Sequence, residues 1–68
     1  MDIKQLYQIK NDLRQKIKGL LTKDFQLWQE GNILKFQCCI IHGNGKKEFY
    51  GNIYQVIDLN KGILKISN

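Results

Sequence analysis

One dipeptide, Asn44-Gly45, stands between two apolar alternating runs, ILKFQCCII before it and FYGNIYQVI after it. Nothing else in the chain restricts the fold as much. Both central residues of a type I′ hairpin turn need positive φ, and Asn-Gly supplies them. With this pair at the turn, His42 opposes Lys47, Ile40 opposes Phe49, Cys38 opposes Gly51 and Phe36 opposes Ile53. Directly opposed residues share one side of a sheet. One face then carries Leu34, Phe36, Cys38, Ile40, Phe49, Gly51 and Ile53, all apolar or glycine. The other carries Ile33, Lys35, Gln37, Cys39 and Ile41 with Tyr50, Asn52, Tyr54 and Val56. A slip of one residue would mix these sets, so turn and pattern support the same register.

The segment before the hairpin reads as an amphipathic helix over about residues 2–18. Ile3, Leu6, Ile9, Leu13, Ile17 and Leu20 recur at spacings of three and four and form one stripe. Asp2 and Gln5 have capping-box spacing, and Met1 and Leu6 are placed for a hydrophobic staple. Gly19 is the expected stop, preceded by Lys16 and Lys18 where cations favour the helix dipole. Residues 20–32 have two readings. Leu21, Phe25 and Trp28 have helical spacing, whereas Phe25 and Leu27 alternate as in a strand. A turn at Glu30-Gly31 sets Leu27 against Leu34 and Phe25 against Phe36, on the apolar face, which favours the strand. A last strand, paired about Asn60-Lys61, adds Leu64 and Ile66 to that face; Gln55 interrupts it, a misfit that a bulge would repair.

The predicted fold is therefore α+β and a single domain over residues 1–68. Its helix covers one face of a four-stranded antiparallel meander, either an open sheet or a small SH3-like barrel. The strands fall at about 25–29, 33–42, 47–57 and 63–67. Within it, FYGNIYQVI resembles a glycine-bearing strand of the Sm-like RNA-binding proteins, whose fold also opens with a helix. That resemblance spans nine residues and implies RNA binding on a small curled sheet.

No apolar run approaches the roughly 20 residues of a membrane span, and no signal peptide precedes the helix. Cys38 and Cys39 are adjacent and point to opposite faces of a strand, so they do not bridge readily. A cytoplasmic, reducing setting is expected. Ile, Lys and Asn are abundant while Ala and Pro are absent, usage that fits an AT-rich genome such as that of a low-GC bacterium, its phage or a mobile element.

Chemistry-bearing motifs are few. His42 stands alone beside a turn, and neither CxxC nor HxxxH spacing occurs, so no metal site or cofactor is implied. HGNGKK has the glycines of a phosphate loop but not its spacing or its strand–loop–helix setting. The six acids have cap, turn or surface roles and do not pair for acid–base work. A binding protein is expected, not an enzyme. The net charge is +5, and ten of the eleven basic residues are lysine. The second sheet face carries Trp28, Tyr50 and Tyr54 among Lys35, Lys65, Gln37 and Asn52, with Lys46 and Lys47 at the hairpin tip. Rings interleaved with lysines and amides suit single-stranded nucleic acid, where bases stack and ammonium groups meet phosphates. Ile33, Ile41, Val56 and Ile63 share this face, and a large apolar patch marks an interface. The alternative is accordingly a protein-binding module or inhibitor. It would act on an acidic partner, or on a larger nucleic-acid enzyme in competition with its substrate. A chain this short buries little, so a homodimer through the second face or an edge strand is expected.

Overall fold

A computed structural model describes residues 2–67. Helix α1, Ile3–Lys16, begins at the expected capping box: the Gln5 amide donates to Asp2 Oδ1 at 2.8 Å and the Asp2 amide to Gln5 Oε1 at 3.4 Å. The Met1 half of the expected staple lies outside the described residues. The helix stops short of Gly19. Ile17 turns extended (φ −120°, ψ 103°) and a 3-10 turn, Lys18–Leu20, follows. This early exit carries Leu20 into the core, where it is buried beside Leu13.

Five strands follow, β1 (Asp24–Glu30), β2 (Ile33–Ile41), β3 (Lys47–Phe49), β4 (Tyr54–Asp58) and β5 (Ile63–Ile66). All pairings are antiparallel. The order is β1-β2-β4-β5, with β3 on β2 beyond the end of β4, so β1 and β5 bound an open sheet. Residues 24–30 are a strand, not a helix extension. Their turn is Gly31-Asn32, one residue later than expected, with glycine first as a type II′ turn requires and φ 59° there. Phe25 therefore opposes Cys38 and Leu27 opposes Phe36. A two-residue change of partner preserves the face, so both phenylalanines still point to the helix.

The central hairpin corrects the sequence reading. Its loop has three residues, Gly43-Asn44-Gly45, closed by His42 N–H to Lys46 C=O at 2.9 Å. Only Gly45 takes positive φ, at 85°. Asn44 keeps negative φ and its side chain accepts from the Lys46 amide at 2.9 Å, so the strained αL conformation at asparagine is avoided. The register slips by one: Ile40 opposes Glu48 and Cys39 opposes Phe49. Phe49 thus lies on the face away from the helix. Ile40, expected to face the core, lies beyond it and is exposed.

The expected strand 47–57 is also broken. Tyr50 still donates its amide to the Cys38 carbonyl at 3.1 Å; residues 51–53 then leave the ladder at Gly51 (φ 74°), and Gln37 Nε2 donates to the Gly51 carbonyl at 3.0 Å across the gap. Pairing resumes with Phe36 opposite Tyr54 and Lys35 opposite Gln55. Tyr54 and Val56 therefore replace Ile53 on the helix side. Gln55 moves to the far face, which removes its misfit. The β4–β5 ladder pairs Val56 with Leu64, whereas pairing about Asn60-Lys61 would set Ile57 against Leu64, and it shifts register between Val56 and Asp58.

The core consists of Leu13, Leu20, Phe25, Leu27 and Phe36, rimmed by Leu6, Ile9, Ile17, Cys38, Tyr54, Val56, Leu59 and Leu64. Phe36 is its centre, 5.4 Å ring to ring from Phe25 and from Tyr54. The helix packs on the Phe36 face, and among the described residues no further helix or strand forms a second layer on the other.

Candidate binding face

The uncovered face is built by alternation. Leu27 and Phe36 point to the helix, so Trp28 and Lys35 point away. Trp28 opposes Lys35, Lys35 opposes Gln55, and Gln55 opposes Lys65. One cross-strand row therefore runs Trp28–Lys35–Gln55–Lys65 over four strands. Trp28 and Lys35 are half-buried and Lys65 is exposed. Lys35 is not a free cation: its Nζ lies 2.6 Å from Glu30 Oε2. The Lys35 hydrogen bond, with a weaker one from Trp28, holds the Glu30 carboxyl below its usual range.

The next row of this face holds Gln26 and Gln37, and then Asp24, Cys39 and Phe49. Lys47 Nζ donates to Gln26 Oε1 at 2.7 Å. Gln26 stands opposite Gln37 and Lys47 opposite Ile41, so this bond spans β2 at the level of Cys39. Cys39, at that level, is only 4% exposed, with this bridge crossing β2 beside it and Lys10 of the helix close by. Lys46 stands exposed at the hairpin tip, and Tyr50 and Asn52 are exposed in the interruption between β3 and β4.

Of the residues expected to form this surface, Trp28, Lys35, Gln37, Lys47 and Lys65 share the face, and Lys46 and Asn52 lie toward its hairpin end. Tyr50, expected on this face, instead stands opposite Cys38 on the helix side, because the one-residue slip that turns Phe49 outward turns its neighbour inward. Tyr54 does not belong. It stacks on Phe36 at an interplanar angle of 27° on the helix side. Gln55 and Phe49 take part instead; Phe49 is 47% exposed. Gly43 immediately before Asn44-Gly45 was the signal for both, since it permits the longer loop. Ile33, Ile57 and Ile63 are exposed at the opposite end of the sheet.

His42 Nε2 is 3.5 Å from Glu48 Oε1 at the tip. Among the described residues no three His, Cys, Asp or Glu side chains come together as metal ligands. No helix among them is long and apolar enough to cross a membrane. No protein-family model, curated protein or solved structure matches the chain.

Proposed function

We propose that this chain is a small basic binding protein, not an enzyme, whose uncovered sheet face meets single-stranded nucleic acid in a regulatory or accessory role within a cytoplasm. The observation that supports it is the row Trp28–Lys35–Gln55–Lys65, continued toward the tip by Phe49, Lys46 and Lys47. Flat rings offer stacking that any base accepts, amides hydrogen-bond to base edges, and the unpaired lysines meet phosphates. Salt dependence separates the two kinds of contact. Fluorescence anisotropy with a labelled oligonucleotide over a salt series tests the reading. Lys65→Glu and Lys46→Glu should weaken binding to every sequence and flatten the salt slope, which is about −0.7 per phosphate contact on single strands. Phe49→Ala should lose about 1–3 kcal/mol with the slope nearly unchanged. No binding at about 50 mM salt and micromolar protein would refute it.

A second reading rests on a separate observation. Ile33, Ile57 and Ile63 are exposed, and Glu30 neutralises Lys35 beside them. An apolar end with its charge cancelled suits a protein partner or a second copy of this chain better than a phosphate backbone. Sedimentation of Ile63→Lys against wild type tests it: a wild-type dimer that the substitution dissociates supports association through this end.

A further inference from the structure

The β1 strand pairs only with β2, so its outer main-chain edge carries no partner strand among the described residues. Edges of this kind invite another strand unless they are blocked. Here helix α1 runs beside the edge without closing it. A cavity of about 270 Å³ lies between them, lined by Ile3, Leu6, Tyr7 and Lys10 of the helix and by Gln26 and Lys47 of the sheet. Ile3 and Tyr7 are 70% and 64% exposed, although both stand on the helix side that borders the sheet. These apolar side chains have no covering layer.

The groove is also cationic at one end. Lys10 Nζ and the Arg14 guanidinium both stand over the Phe25 ring, at 5.1 and 5.0 Å. Partial burial and the nearby Arg14 and Lys47 charges lower the Lys10 pKa, and Asp24 opposes them only weakly. Among the described residues neither Lys10 nor Lys47 has a carboxylate within ion-pair distance; Lys47 bonds to the neutral Gln26 amide.

We infer that the groove between α1 and the free edge of β1 accepts an extended, carboxylate-bearing peptide segment as an added strand. A peptide backbone alone matches the alternating N–H and C=O groups of a strand edge, which a nucleic-acid backbone does not. Alternate side chains of the added strand would meet Ile3, Leu6 and Tyr7, and an acidic one would meet Lys10 and Lys47. Charge complementarity selects an acidic segment over a basic one. This inference shares Lys47 and Gln26 with the sheet face, whereas Ile3, Leu6, Tyr7 and Lys10 belong to the groove alone, so Lys10→Glu separates the two readings.

The test is NMR titration of the ¹⁵N-labelled full chain with an acetylated hexapeptide of alternating valine and glutamate. Its valine–lysine counterpart serves as control. Binding of the acidic peptide with amide shifts concentrated in Asp24–Glu30 and the first two turns of α1 is expected. Lys10→Glu and Lys47→Glu, checked for folding by circular dichroism, should each weaken it about tenfold. A version with alternate amides N-methylated should lose the affinity, because it cannot complete the ladder. The inference is overturned by no shift at about 1 mM peptide, by equal binding of the lysine peptide, or by shifts at Lys35 and Lys65 instead. Concentration-dependent shifts of β1 in the protein alone would overturn it in favour of a second copy. Oligonucleotide-induced shifts at β1 and α1 would overturn it in favour of nucleic acid.

Discussion

Replacing Tyr54 by alanine separates a core role from a surface role at one position. Its ring stacks on Phe36, which is 1% exposed and central to the core. Truncating a fully buried aromatic costs about 3–5 kcal/mol. Tyr54 is only half-buried, so about 2–3 kcal/mol is expected, of which roughly 0.5–1.5 kcal/mol is the ring pair itself. A domain with so small a core has about 3–5 kcal/mol in total. Tyr54→Ala should therefore remove about half of it or more and lower Tm by roughly 10–20 °C. Urea denaturation followed by tryptophan fluorescence reads this directly. With a slope near 1 kcal/mol/M the midpoint should fall by about 2–3 M. Tyr54→Phe keeps the rings and should retain most of the stability. A double-mutant cycle of Tyr54→Leu with Phe36→Leu should give a coupling of about 0.5–1.5 kcal/mol. A loss below about 1 kcal/mol at Tyr54, together with a larger one for Ile53→Ala, would refute the register and restore the unbroken hairpin.

Other perturbations test the neighbouring features. Gly51→Ala places a side chain at φ 74° where its Cβ meets nothing within 4 Å, so the expected loss of about 1–2 kcal/mol is conformational; Gly43→Ala, without positive φ, should cost far less by the same urea assay. Removing the Lys47–Gln26 bridge with Lys47→Ala should uncover Cys39 and speed its labelling by a thiol reagent several-fold in a Cys38→Ala background, and an unchanged rate would mean that something else covers the thiol. Glu30 has a folded pKa below its ordinary 4.5, so its contribution is present above that value and lost as pH falls through the lower folded one. Glu30→Gln should flatten this part of an acid-unfolding profile, while an identical profile would show the Lys35 contact to be inconsequential.

The parts of the fold legible in the sequence are those where periodicity alone decides. Leu6, Ile9, Leu13 and Ile17 recur at helical spacing, and Asp2 with Gln5 marks the start, so helix and cap followed from spacing and hydrogen-bonding chemistry. Leu27 and Phe36 reached the core because a strand's face depends only on whether a register is odd or even. Residues 24–30 survived a one-residue error in turn placement, two residues in register, for this reason. Leu64 reached the core rim although its partner is Val56 and not the expected Ile57, because β4 itself is inverted. The second hairpin had no such tolerance. Its error was one residue, and one residue inverts a strand.

The candidate surface inherits that sensitivity. Asn44-Gly45 states that a turn occurs but not how many residues it contains, and Gly43 lets the chain choose the three-residue loop with only Gly45 left-handed. That choice sends Phe49 outward. The same slip turns Tyr54 inward, and the two-residue interruption at Gly51 keeps that face and sets Tyr54 against Phe36. Phe49 and Tyr54 thus exchange the roles that alternation gave them; Lys47 moves outward with Phe49, and Lys35 and Lys65, whose faces depend on β2 and β5, stay in place. An apolar ring suits either environment, so composition could not reveal the exchange. Gln55 did reveal it: an amide on the expected core face was the one residue inconsistent with the two-residue turn, and the one-residue slip turns it to the far face, where the further shift at Gly51 sets it beside Lys35 and Lys65. In a short β-rich chain, a single polar residue on the wrong face is therefore a stronger guide to a one-residue register slip than the apolar residues that tolerate both sides.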